Sequence, residues 1–107
     1  MPTATAQYIE MALEKIRTME LPEDERVFDL KLHERNEGWD VTGVVGPFAR
    51  TIPEGHPYPV LCMIHSHNLV FSSKQEALDH ARKVRDILVV RGKSPDAPTS
   101  RLLGLIQ

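Results

Sequence analysis

His65-Ser66-His67 is the first stretch of this chain whose residue types and spacing point to chemistry. Two residues apart on a strand, side chains lie parallel, about 6.6 Å apart along the chain. Two imidazoles so placed are able to share one ion, with Zn–N bonds near about 2.0–2.1 Å. A structural zinc needs four ligands and a catalytic one usually three, so His65 and His67 are half of a zinc site. His33 is the next candidate ligand, but a meander sets it two strands from His65, about 9.6 Å across the ladder. Cys62 stands at an odd spacing from His65 and projects to the other face, as does Ser66 between its two histidines. No nucleophile is therefore paired with a base, and the chain leans away from catalysis. His65 and His67 would also form a patch that titrates near neutral pH. His80 falls between Ala77 and Val84 on the flank of a helical stripe, and His56 lies between Gly55 and Pro57 in a loop.

The elements that must position these residues belong to one small domain. The chain has 107 residues, of which 41% are hydrophobic and 26% charged, the balance of an ordinary globular protein. A net charge of −2 gives no general attraction to nucleic acid or to an acidic membrane. Cys62 is the only cysteine, so no intramolecular disulfide forms, and in an apolar run it reads as a small buried hydrophobe. No run approaches the roughly 20 apolar residues of a membrane-spanning helix. The start, MPTATAQYIEMALEKI, lacks the basic and apolar regions of a secretory signal, which favours the cytoplasm.

Ile9, Ala12, Leu13 and Ile16 follow helical spacing and predict a helix over 5–19, capped by Thr3 or Thr5. Residues 26–35 alternate: Phe28, Leu30 and Leu32 against Asp29, Lys31, His33 and Arg35. After the turn Asn36-Glu37-Gly38, Trp39, Val41, Gly43 and Val45 alternate again. Apolar residues of paired strands must share a face, which sets Leu32 against Val41 and Glu34 against Trp39, with a loop from Arg35 to Gly38. Residues 46–59, GPFARTIPEGHPYP, hold four prolines and exclude regular structure. Val60 to Phe71 predicts a third strand, broken near Asn68. Ser72 with Gln75, or Ser73 with Glu76, has the spacing of a capping box. It opens a second helix with Ala77, Ala81, Val84 and Leu88 buried, which Gly92 stops.

The expected fold is α+β: a two-layer sandwich of α-β-β-β-α order, with a three-stranded antiparallel meander and two helices packed on one face. The other face would be open to water and carry His33, His65 and His67. Residues 93–100 read as a linker to an apolar C-terminal segment, 101–107. Burying Leu102, Leu103, Leu105 and Ile106 would be worth roughly 6–10 kcal/mol before ordering costs. That favours docking of the segment on its own domain or, in a homodimer, on a second copy.

The α-β-β-β-α order, together with Ser72-Ser73-Lys74-Gln75-Glu76-Ala77, resembles the double-stranded-RNA-binding domain. The resemblance covers the element order and about six residues, and it implies phosphate contacts from bases at the start of the final helix. Lys74 is the only base in that turn, and Glu76 and Asp79 repel phosphate. Nucleic acid is thus a third choice of ligand, after protein and metal.

What is left is a non-catalytic protein-interaction or regulatory module, with a protein partner or self-association and no membrane. Its contacts would come from the open sheet face and from Phe48, Ile52 and Tyr58 in the proline-rich loop. Zinc held by His65 and His67 is the alternative, with no other cofactor expected.

Overall fold

The structure, a computed structural model, describes residues 3–21, 23, 25–46, 62–65 and 69–106, with the backbone alone for 62–65. The elements run α1 (Ala6–Thr18), β1 (Val27–Arg35), β2 (Gly38–Val45), β3 (Cys62–His65), α2 (Lys74–Val90), β4 (Ser94–Pro95) and α3 (Ala97–Leu102). The sheet order is β3-β2-β1-β4. β1–β2 and β2–β3 are antiparallel, whereas β4 joins β1 in parallel.

The α+β class therefore holds, but the expected order and the purely antiparallel sheet do not. The added elements, β4 and α3, come from the residues read as a linker, with α3 running on into Arg101 and Leu102 of the C-terminal segment. Pro95 and Pro98 suggested a break there, yet each sits where proline is tolerated. Pro95 lies in a two-residue edge strand, and Pro98 stands in the first turn of α3, where the amide has no helical partner.

The β1–β2 register agrees with the expectation: Leu32 opposes Val41 and Glu34 opposes Trp39. Arg35 and Gly38 still pair, so the loop is the two residues Asn36 and Glu37. Gly38 has φ +147°, and a Cβ there would run into the Phe71 carbonyl oxygen. Only glycine permits that approach. Trp39 and Phe71 exchange backbone hydrogen bonds, Trp39 N–H to Phe71 O at 2.9 Å and the reverse at 2.7 Å. Between the pairs Thr42–His65 and Trp39–Phe71, the second chain segment is three residues longer than the first. The two pairings therefore do not belong to one continuous ladder.

α1 is capped by the Thr5 hydroxyl, which accepts from the Tyr8 amide at 3.3 Å. α2 is capped by Ser73, which accepts from the Glu76 amide at 3.1 Å. Glu76 reaches back to the amide and hydroxyl of Ser72 rather than to Ser73, a shifted version of the capping box. α1 packs against α2, and α2 lies on β1 and β2. One core unites Leu13 and Ile16 of α1, Phe28 and Leu30 of β1, Val41 and Val45 of β2, and Phe71 with the α2 stripe Ala77, Ala81, Val84 and Leu88. The Arg91 guanidinium donates to the Ile16 carbonyl at 2.7 Å and ties the ends of α1 and α2 together. Among the described residues no helix is long and apolar enough to cross a membrane.

Leu103 reaches this core from the end of α3 and is 3% exposed, but Leu105 and Ile106 are each 49% exposed. The C-terminal segment thus docks on its own domain through buried Leu103, with Leu102 half-buried and Leu105 and Ile106 exposed.

Candidate functional site

Strand β1 is where the described residues concentrate both buried polar chemistry and free backbone. Alternation along a strand sends successive amides to opposite sides. The Leu30 amide points away from β2 and donates to the Thr99 hydroxyl at 2.8 Å. The Phe28 carbonyl likewise accepts from the Asp96 amide at 2.9 Å, and the Arg26 carbonyl from the Ser94 amide at 2.8 Å. The inner half of this edge is therefore closed by β4 and by one hydroxyl of α3.

The sequence positions that hydroxyl with three devices. Gly92, φ +88°, turns the chain out of α2. Lys93, 8% exposed, anchors the turn by donating from Nζ to the Glu25 carbonyl at 2.6 Å. Asp96 then caps α3 by accepting from the Thr99 amide at 2.8 Å. Thr99 is fully buried, and its hydroxyl donates to Asp29 Oδ1 at 2.7 Å while accepting from Leu30. Every hydrogen-bonding capacity of that oxygen needed here is used, and a buried carboxylate and a buried amide are satisfied together.

Beyond Thr99 the same edge is open. By alternation the Leu30 carbonyl and the amides and carbonyls of Leu32 and Glu34 face outward, and among the described residues none makes a hydrogen bond. A groove of about 280 Å³ runs beside them, lined by residues 29–33 of β1 and by Pro98 and Leu102 of α3. Leu32 and Leu102 are half-buried there. Lys31 is well exposed, with only a loose 3.7 Å contact to Asp29. Pro98, Arg101 and Leu102 fall on neighbouring positions of one helix face. Arg101 is exposed and makes no ion pair among the described residues.

The face expected to be open holds two buried acids instead. Asp29 is 7% exposed and Asp40 is 6% exposed. Arg35 Nε donates to Asp40 Oδ2 at 2.8 Å, while Asp40 Oδ1 is buried and makes no hydrogen bond among the described residues. Half-buried His33 opposes Asp40 in register, and His65 opposes Thr42. His33 and His65 are thus two strands apart and offset by two residues, about 12 Å in backbone terms, which is wider than the meander alone implied. His67 lies outside the described residues, as do His56, Phe48, Ile52 and Tyr58. Among the described residues no group of three possible metal ligands comes together.

His80 is a core residue, 2% exposed, with its ring 4.9 Å from that of Phe71. Burial, helped by the charge of Lys83, pushes its pKa down to about 4. It lines a pocket of about 310 Å³ with Phe71, Ile9 and the charged Glu76, Asp79 and Lys83. Glu76 and Asp79 are already engaged, by Ser72 and by Gln75 and Arg82 respectively. Lys74, the one base that the RNA-binding resemblance offers, stands over the Trp39 ring at 5.6 Å.

Compared with protein-family models, with curated proteins and with solved structures, the chain matches none.

Sequence reasoning missed the β1 edge and α3. A signal for α3 was present: Asp96 followed at the third position by Thr99 has N-cap spacing, with Pro98 in the first turn.

Proposed function

We propose that this chain is a non-catalytic protein-interaction module that accepts an extended segment of a partner along the outer half of β1. The observation that carries this reading is the open edge from Leu30 to Glu34 beside the Pro98–Leu102 groove. A long unpaired edge is a hazard that proteins usually cover, and here the covering stops halfway along the strand. Main-chain pairing supplies affinity in strand addition, and adjacent pockets for alternate side chains supply selectivity. Phe48, Ile52 and Tyr58 are a second surface that the sequence offers to the same partner.

Selection from a random peptide library tests it, with the wild type and Glu34→Pro as baits. The proline removes an outward amide that no partner among the described residues uses. Wild type should enrich extended peptides and Glu34→Pro should not. Equal enrichment by both would sink edge pairing. Replacing Phe48, Ile52 and Tyr58 together by alanine asks separately whether the loop contributes.

Zinc binding at His65 and His67 is the second reading, and one observation favours it. Asp40 Oδ1 is a buried carboxylate oxygen with no hydrogen bond among the described residues, on β2 two residues from the partner of His65. Native mass spectrometry of untagged protein would show a zinc mass that disappears in His65→Ala/His67→Ala. Protein that stays metal-free when zinc is supplied contradicts it.

A further inference from the structure

Resting on the edge reading above, we infer that the segment added to β1 is an acidic strand, with carboxylates alternating with apolar residues. Three features of the open stretch select it. Among the groove's lining residues Lys31 is the exposed charge, beside half-buried His33, while the one lining acid, Asp29, is buried and bonded to Thr99; exposed Arg101 directly precedes the lining residue Leu102 on α3. Lys31 is 65% exposed and held only by a loose 3.7 Å contact to Asp29 Oδ2, so its charge remains available. Glu34 is the one exposed acid of the stretch, and it stands at the far end on the opposite face from Lys31 and His33. An incoming strand also alternates. Its apolar residues would fill the groove between Leu32 and Leu102, and its acids would meet Lys31 and Arg101.

A second copy of this chain fits the same edge poorly. Twofold antiparallel pairing about Leu32 would set Lys31 across from His33 of the other copy, a pair with no attraction. It would also set Leu30 across from Glu34. Thr99 occupies the Leu30 amide, so the pairing could not lengthen beyond that point to recruit the favourable match of Asp29 with Arg35.

Two synthetic peptides of about nine residues test the inference, one alternating Glu with Val and one alternating Lys with Val. Binding is followed through the backbone amide resonances of the full chain at low salt. The acidic peptide should shift the Leu32 and Glu34 amides and bind about tenfold more tightly than the basic one. Lys31→Glu/Arg101→Glu should reverse that order. Both changes are on the surface, and circular dichroism confirms the fold. Equal affinity of the two peptides at this edge would overturn the charge assignment and leave strand addition standing. If neither peptide moves these amides at about 1 mM, both ideas fall.

Discussion

The two halves of β1 have the same alternation and the same β2 neighbour, yet opposite fates at the outer edge. In the inner half, the outward Phe28 carbonyl is closed by Asp96 and the outward Leu30 amide by Thr99, beside the pairing with β4. From Leu32 to Arg35 the outward groups face a groove. The difference does not come from β1, whose residues pair with β2 without interruption. It comes from where the chain returns after α2. Gly92, Lys93 and Asp96 bring it back at the level of Val27 and Phe28, and six-residue α3 is too short to shield the rest. One edge thus separates into a part that stabilises the fold and a part left for association.

The comparison breaks most severely if the outer half loses its anchor. Gly38→Ala would force a positive φ on alanine and drive its Cβ into the Phe71 carbonyl. We expect a loss of about 3–4 kcal/mol in chemical denaturation, and loss of the Trp39–Phe71 pairing. A destabilisation below about 1 kcal/mol would mean that the hairpin end is not fixed to the start of α2. Next comes the inner half. Thr99→Val keeps the shape but strands the Leu30 amide and a buried Asp29 oxygen, at about 3 kcal/mol. Its amides around Leu30 should also exchange with solvent much faster. Unchanged exchange there would show that the hydroxyl is not what closes the edge.

The acid response sets a smaller effect at His80, which does not line the groove of this edge. His80 is neutral in the fold because burial depresses its pKa to about 4, against 6.5 when exposed. Above pH 6.5 both states are neutral and the residue adds no pH dependence. Between pH 6.5 and about 4 the unfolded chain takes up a proton that the folded chain refuses, so stability falls as pH falls. The loss should reach about 2 kcal/mol at pH 5, seen as a lower denaturant midpoint. His80→Gln should flatten that dependence, and a slope that survives would assign the effect to other groups. Edge binding should not follow this titration.

What the sequence made legible was what local periodicity encodes. The pairings of Leu32 with Val41 and Glu34 with Trp39 follow from two-residue alternation and one shared apolar face, and the structure has both. Ala77, Ala81, Val84 and Leu88 are buried as their helical spacing demands. β4 and α3 were illegible for a different reason. A two-residue parallel strand has no period, and α3 gains its place through tertiary contacts of Thr99 and Leu103, not through an amphipathic stripe of its own. Asp29 and Asp40 misled in the same way. Alternation assigned them to a wet face, but Thr99 and Arg35 supply partners from 70 and 5 residues away, and the carboxylates are buried. The edge was equally hidden, because an unpaired amide leaves no mark on the identity of its residue.

The smallest structural effect is expected where the comparison is sharpest. Glu34→Pro removes an amide that faces away from β2, so no ladder hydrogen bond is lost. Glu34 is exposed, and His33 already has the extended backbone that a following proline requires. Stability should therefore change by less than about 1 kcal/mol. A central-strand position would not tolerate the ring, since a proline there deletes a bond in the sheet. If Glu34→Pro unfolds the protein, the outer half is paired after all and strand addition has no free edge to use. If it folds normally and still binds the Glu/Val peptide with wild-type affinity, the peptide uses another surface. Normal stability with binding lost is the outcome that sets the outer half of β1 apart from the inner: dispensable to the fold and required by the partner.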